Sequence, residues 1–205
     1  MAATLILVRH AAHVHLDGTL SGRMPGVPLS DEGRAQAARL AARLAAQGVD
    51  AVQTSPLDRA QATATAIADA AGLTVGTSDG LQEIDFGAWT GRRFDALASD
   101  PVWDAWNAHR ATARPPGGEG MVEAQARIVA YLDATAREHD GGTVVLVSHA
   151  DMIRAAVCHV LGLELDNLLR FDIDPASATT LSWGDGWARV NILNDRGIDG
   201  VCGIA

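Results

Sequence analysis

Leu5-Ile6-Leu7-Val8-Arg9-His10 stands near the start of the chain, and Thr143-Val144-Val145-Leu146-Val147-Ser148-His149 repeats its design far downstream. Each is a continuous apolar, partly β-branched run that breaks off in polar residues. A strand with one wet face would alternate instead, so the unbroken runs predict central parallel strands buried on both faces. In open α/β sheets ligands bind outside the carboxyl ends of the strands. Both runs therefore set a histidine where chemistry is expected.

Outward from these strands the chain alternates between helix and strand patterns. Ala11–Leu29 carries Gly18, Gly22, Gly26, Pro25 and Pro28 and reads as an irregular loop. Ser30-Asp31-Glu32 predicts a helix start with a serine cap and acidic first turn, Leu40 and Leu44 its apolar stripe, and Gly48 its end. Ala51–Thr54 is a second strand. Leu57–Ala71, closed by Gly72, is a second helix with Arg59 in its first turn, and a short strand lies near Val75. Leu81–Phe86 leads into Gly87-Ala88-Trp89-Thr90-Gly91, and Trp103 and Trp106 lie three apart as on one helix face; residues 87–118 form an expected flap. Glu119–His139 predicts a long helix with Val122, Ala126, Val129 and Leu132 inward. A helix follows at Met152–Leu161. Ala178–Trp183 and Trp187–Ile192 form a hairpin around Gly184-Asp185-Gly186. The expectation is a three-layer α/β/α sandwich with a mostly parallel central sheet, in one domain over residues 1–205.

The composition narrows the partners. A net charge of −9 and a pI near 5.1 oppose nucleic acid and anionic membranes, because either would approach against the protein's own field. All 16 Lys+Arg residues are arginine, whose planar fork suits phosphate oxygens, so a small phosphorylated substrate fits. Cys158 and Cys202 are too few for a disulfide framework, and the apolar run before Arg9 is too short for a signal peptide or membrane span. A cytoplasmic protein is expected, and a homodimer is compatible.

His10 and His149 at strand ends, with Arg9 and the helix-borne Arg59, suggest phosphoryl transfer. A phosphoryl group in flight spreads charge over three oxygens and needs an in-line nucleophile with fixed positive donors.

Four blocks in order, LVRH at 7–10, TSPLDRAQATA at 54–64, LQEIDFGAWTG at 81–91 and VSHADMIRA at 147–155, resemble the histidine phosphatase, or phosphoglycerate-mutase-like, superfamily. PPGGE at 115–119 and GRMPGVPLSDEGRAQA at 22–37 are most similar to its broad-specificity and α-ribazole-phosphate phosphatase branches. The resemblance implies a phosphoglycerate-mutase-like fold and a metal-independent, cofactor-free phosphomonoesterase. It implies His10 as the residue that becomes phosphohistidine, Arg9, Arg59 and His149 as holders of the phosphate oxygens, and Glu83 as proton shuttle. Ser21, Gly22 and Ala150 would touch the substrate. Where the family pattern has Arg-His-Gly, Glu or Gln, then Thr, this chain has Arg9-His10-Ala11-Ala12-His13, and an Asn found a little further on is missing. Ala11 is expected to shift the loop, with Ser21, Gly22 or His13 compensating for lost donors.

Other readings stay open at this point. A phosphomutase would share the phosphohistidine. His10, His13 and His15 in HAAHVH have the spacing of a metal-dependent hydrolase, although Arg9 and Arg59 then go unexplained. A phosphate-binding module would need the arginines but neither His10 nor Glu83. Asp17-Gly18-Thr19-Leu20 resembles the haloacid-dehalogenase motif, but His15 stands where its nucleophilic Asp belongs. Glu119 is expected to favour its helix electrostatically, and Asp85 to share a strand face with Glu83.

Overall fold

The computed structural model describes residues 1–197, so Cys202 lies outside the described residues. Six strands, β1 (Ala3–Arg9), β2 (Ala51–Thr54), β3 (Val75–Thr77), β4 (Thr143–Ser148), β5 (Ala178–Gly184) and β6 (Trp187–Asp195), form one sheet in the order β3-β2-β4-β1-β5-β6. The first four are mutually parallel, and the β5–β6 hairpin closes one side antiparallel.

The two apolar runs are the two central strands. Alternate residues of each feed opposite layers: Leu5, Leu7, Val144 and Leu146 face one core, Ile6, Val8, Val145 and Val147 the other. Helices α1 (Asp31–Ala45) and α2 (Asp58–Ala71) cover the second core through Leu40, Leu44 and Ile67. The first core is covered by the helices that flank β4. Burial on both faces explains why these strands lack a polar side.

The register decides the site. Arg9 pairs with Ser148, so β1 and β4 end level, and the His10 amide donates to the Ser148 carbonyl at 3.0 Å. His10 and His149, the next residue on each strand, leave the sheet side by side.

The Ser30 side chain caps α1 by accepting from the Gly33 amide at 3.0 Å, and the Ser30 amide donates to the Ala12 carbonyl at 3.0 Å, tying helix and histidine loop together. Gly33 permits that approach, since a Cβ there would sit 1.8 Å from the Ala12 oxygen. The helix itself stops at Ala45, before Gly48, whose φ of +71° serves the following turn. Residues 87–118 include α3 (Phe94–Leu97) and α4 (Pro101–Ala108), two helices in place of one. The segment is rooted in the first core by fully buried Trp89, Leu97 and Trp106, with Trp89 edge-on to Trp103 and to Trp106.

The long helix α5 spans Met121–Glu138, and its inward stripe is Met121, Ala124, Ile128 and Leu132. Val122 and Ala126 are exposed and Val129 only partly buried, contrary to expectation. The stripe begins one residue earlier because Met121 opens the helix facing inward, and the 3.6-residue period carries the rest. Glu123, not Glu119, engages the helix start, accepting from the Gly120 amide at 3.1 Å. The last helix, α6, runs Ala150–Leu161 and contains buried Cys158.

Candidate active site

A cavity of about 280 Å³ opens at the carboxyl ends of β1 and β4. Arg9, His10, Ser21, Gly22, Arg59, Glu83 and Ala150 all line it. These come from a strand end, the following loop, the first turns of α2 and α6, and the segment after Leu81.

His10 is 3 % exposed. Its Nδ1 lies 2.9 Å from the Ala11 carbonyl oxygen, which can only accept, so Nδ1 carries the proton and Nε2 the lone pair. Burial first, then the charges of Arg59 and Arg9, holds the imidazole well below its usual pKa and keeps it neutral. Arg59 Nε donates to His10 Nε2 at 3.2 Å, while Arg59 Nη2 donates to the Gly22 carbonyl at 2.7 Å. Gly22 presents that carbonyl from a φ of +47°, a conformation that favours glycine. Arg9 Nη1 donates to the Ile173 carbonyl at 2.7 Å. Three further donors of cavity-lining residues, Arg9 Nε, Arg59 Nη1 and Ser21 Oγ, are buried without a partner among the described residues. Buried donors are rarely left so, and three around one cavity suit an anion.

His149 is fully buried at the cavity's edge, with its ring centroid 5.1 Å from that of His10 and its Nδ1 3.8 Å from Glu83 Oε2. Arg59 Nη2 donates to its Nδ1 at 3.2 Å, and its Nε2 contacts Ser55 Oγ at 2.8 Å, so both ring nitrogens are occupied. Burial and the Arg59 charge also push it well below its usual pKa.

Glu83 sits on an irregular segment, not a strand. Burial, then repulsion from Asp151, raises its carboxyl to about 7 against the opposing pull of Arg59 and Arg9. Asp85 is turned elsewhere, accepting from the Gly87 amide at 2.8 Å. Glu119 stays outside the cavity as well: it accepts from Arg23 Nη2 at 3.0 Å and from Arg127 Nη2 at 2.9 Å. These arginines in turn donate to the Glu83 carbonyl at 2.7 Å and the Gln82 carbonyl at 2.8 Å, clamping the carboxylate-bearing segment.

Ala11 is accommodated without a left-handed backbone conformation. It is buried, donates from its amide to Thr63 Oγ1 at 3.0 Å, and is not one of the non-glycine residues with positive φ among the described residues, Ala176 and Asn194. His13 lines the cavity, whereas His15 is exposed. Among the described residues no three His, Cys, Asp or Glu side chains are grouped to hold a metal, so HAAHVH does not close into a ligand set.

Sequence reasoning missed the far wall. Arg110, Asp151 and Arg154 line it, with Asp151 accepting from Arg110 Nη1 at 2.9 Å and from Arg154 Nη1 at 3.2 Å. Burial works against the Asp151 carboxylate, yet the two arginines hold it below the usual carboxylate range. Phe94, Trp103 and Leu169 add apolar surface. Asp151 and Arg154 were within reach, since the block at 147–155 places them on the turn after His149; Arg110 has no local signature.

A buried neutral histidine beside unpartnered arginine donors, with a protonatable carboxyl across the cavity, defines an α/β enzyme of phosphoryl transfer. The family model for the histidine phosphatase superfamily (branch 1) matches residues 5–196, and the chain belongs to that superfamily. It is 34% identical to phosphoserine phosphatase 1 of Hydrogenobacter thermophilus over 86% of this chain and 85% of that protein. It is 27% identical to the adenosylcobalamin/alpha-ribazole phosphatase of Escherichia coli over 95% and 97% of the two chains. A mycobacterial glucosyl-3-phosphoglycerate phosphatase superposes with a TM-score of 0.83 at 29% identity, covering 95% of this chain and 100% of the other. The phosphoglycerate-mutase-like expectation for the fold holds, and phosphoric monoester hydrolysis is the enzyme class that goes with these relatives.

Proposed function

We propose that the chain hydrolyses a small phosphate monoester in two steps through a phosphohistidine on His10. The observation that carries this is the fixed tautomer of His10, neutral and with its Nε2 lone pair at the cavity among unpartnered arginine donors. In the first step Nε2 attacks phosphorus and the ester P–O bond breaks. Glu83, protonated near neutrality, gives its proton to the leaving alkoxide. In the second step water attacks phosphorus, Glu83 takes the water proton, and the P–N bond breaks to release inorganic phosphate. Arg59 Nε, which now occupies the Nε2 lone pair, turns to the phosphoryl oxygens as substrate enters.

Arg9, Arg59 and Ser21 hold those oxygens through their spare donors, with Gly22 and Ala150 in contact and the N-terminus of α6 adding its dipole. His149 acts one layer back by aiming Arg59. Residues 87–118 wall the cavity through Phe94, Trp103 and Arg110, and the alcohol portion of the substrate meets that wall. None of the described helices is long and apolar enough to cross a membrane, and the acidic chain suits small cytoplasmic metabolites better than polyanions.

The test is rapid quenching during turnover of a labelled ester. The label is expected on His10, acid-labile and base-stable, and absent from His10→Ala, which loses turnover while still binding phosphate. Label elsewhere, or an active His10→Ala, refutes the mechanism. Transfer of the label to an added alcohol in preference to water would move the chain to a mutase.

A further inference from the structure

His13 occupies a position that the mechanism above leaves unused. Its backbone is pinned by an antiparallel bridge to Leu29, and its ring centroid lies 5.3 Å from that of His10. The His15 amide donates to His13 Nδ1 at 3.2 Å. A backbone N–H can only donate, so Nδ1 carries the lone pair and the ring proton sits on Nε2. No side chain or backbone group among the described residues accepts from that Nε2–H, in contrast to His149, whose two nitrogens are both occupied. Burial, followed by the charges of Arg59, Arg9 and His15, lowers the His13 pKa to about 4, so the group is uncharged throughout the neutral range. The cavity wall thus holds a rigid, neutral donor close to the nucleophile.

We propose, resting on the phosphatase reading, that His13 is a catalytic residue whose Nε2–H hydrogen-bonds a non-bridging oxygen of the phosphoryl group as it passes to His10. It supplies a donor without adding charge to a site where Arg9 and Arg59 already repel one another and depress the nucleophile. A protonated residue there would hold product phosphate more tightly. His13 therefore orients the phosphoryl oxygens during transfer without tightening the hold on product phosphate.

The test compares His13→Phe, which keeps a planar ring without the donor, with His13→Gln, which keeps a neutral donor, on two esters with unlike alcohols. A hydrogen bond to a charged acceptor predicts that His13→Phe loses ~10- to 100-fold in kcat/KM by the same factor on both esters. Orthovanadate binding weakens in parallel, and His13→Gln recovers most of the loss. In the unmodified enzyme, nitrogen NMR should show His13 protonated at Nε2, with that signal shifting on vanadate addition, a readout that survives even if a variant fails to fold. The proposal is overturned if His13→Phe stays within about two-fold of wild type, if only one ester suffers while vanadate affinity is unchanged, or if the Nε2 signal ignores vanadate. An enzyme that forms no phosphohistidine at all sinks the parent mechanism, whereas normal phosphohistidine with silent His13 variants sinks this inference alone.

Discussion

A carboxyl that releases its proton near pH 7 and an imidazole that stays neutral well below its usual value set the working pH of the site. Because leaving-group departure needs protonated Glu83, kcat/KM for an ester with a poor leaving group should be level below about pH 7 and fall as pH rises through that value, after correction for substrate ionisation. The depressed His10 contributes no acid limb just below neutrality. Glu83→Gln should remove the basic limb and slow poor leaving groups far more than aryl phosphates; an unchanged profile would release Glu83 from its role. The same carboxyl carries a stability consequence. Its folded pKa is raised above that of the unfolded chain, so its contribution is intact in acid and is lost as pH rises through about 7. Glu83→Gln is therefore expected to melt higher than wild type at pH 8, with the advantage gone at pH 4, as read by thermal scans at the two values.

At the scale of elements, the histidine loop is held in shape by the start of α1. Gly33→Ala would drive a methyl group into the Ala12 carbonyl, 1.8 Å away, so one of them must move. The expected cost is at least ~2 kcal/mol, a fall in Tm of roughly 5–10 °C, with reduced turnover because Ala12 adjoins the nucleophile's own turn. Retention of both would show that the loop tolerates displacement. The elements that carry His10, Arg59 and His149 were legible because each has a strong local signal: an unbroken apolar strand, or an alanine-rich helix closed by Gly72. The phase of α5 was misread by one residue because Val122 looks as apolar as Met121, and only packing decides between them. Residues 82–86 resemble a strand, yet the Gln82 and Glu83 carbonyls are taken by Arg127 and Arg23, and those of Asp85 and Phe86 by the Glu119 and Trp89 amides. Glu119 and Arg110 owe their positions to contacts between distant segments, which no local pattern records.

Over the whole molecule, charges that repel one another in the empty site should make phosphate a stabiliser. By mass action, orthovanadate or phosphate at about 100 times its Kd should add ~2.7 kcal/mol and raise Tm by roughly 5–10 °C. Arg59→Ala should abolish most of that shift together with ~100-fold or more of the activity; an equal shift in the variant would place the anion elsewhere. The strand order has a consequence for how such a chain comes into being. β1 precedes every other strand in the chain order, yet its sheet neighbours are β4 and β5, which follow β2 and β3. Until residue 148 or so has been made β1 has no strand beside it, and until residue 184 or so it is paired on one edge only. The growing chain therefore carries an apolar strand with bare edges through most of its synthesis, a template for unwanted pairing.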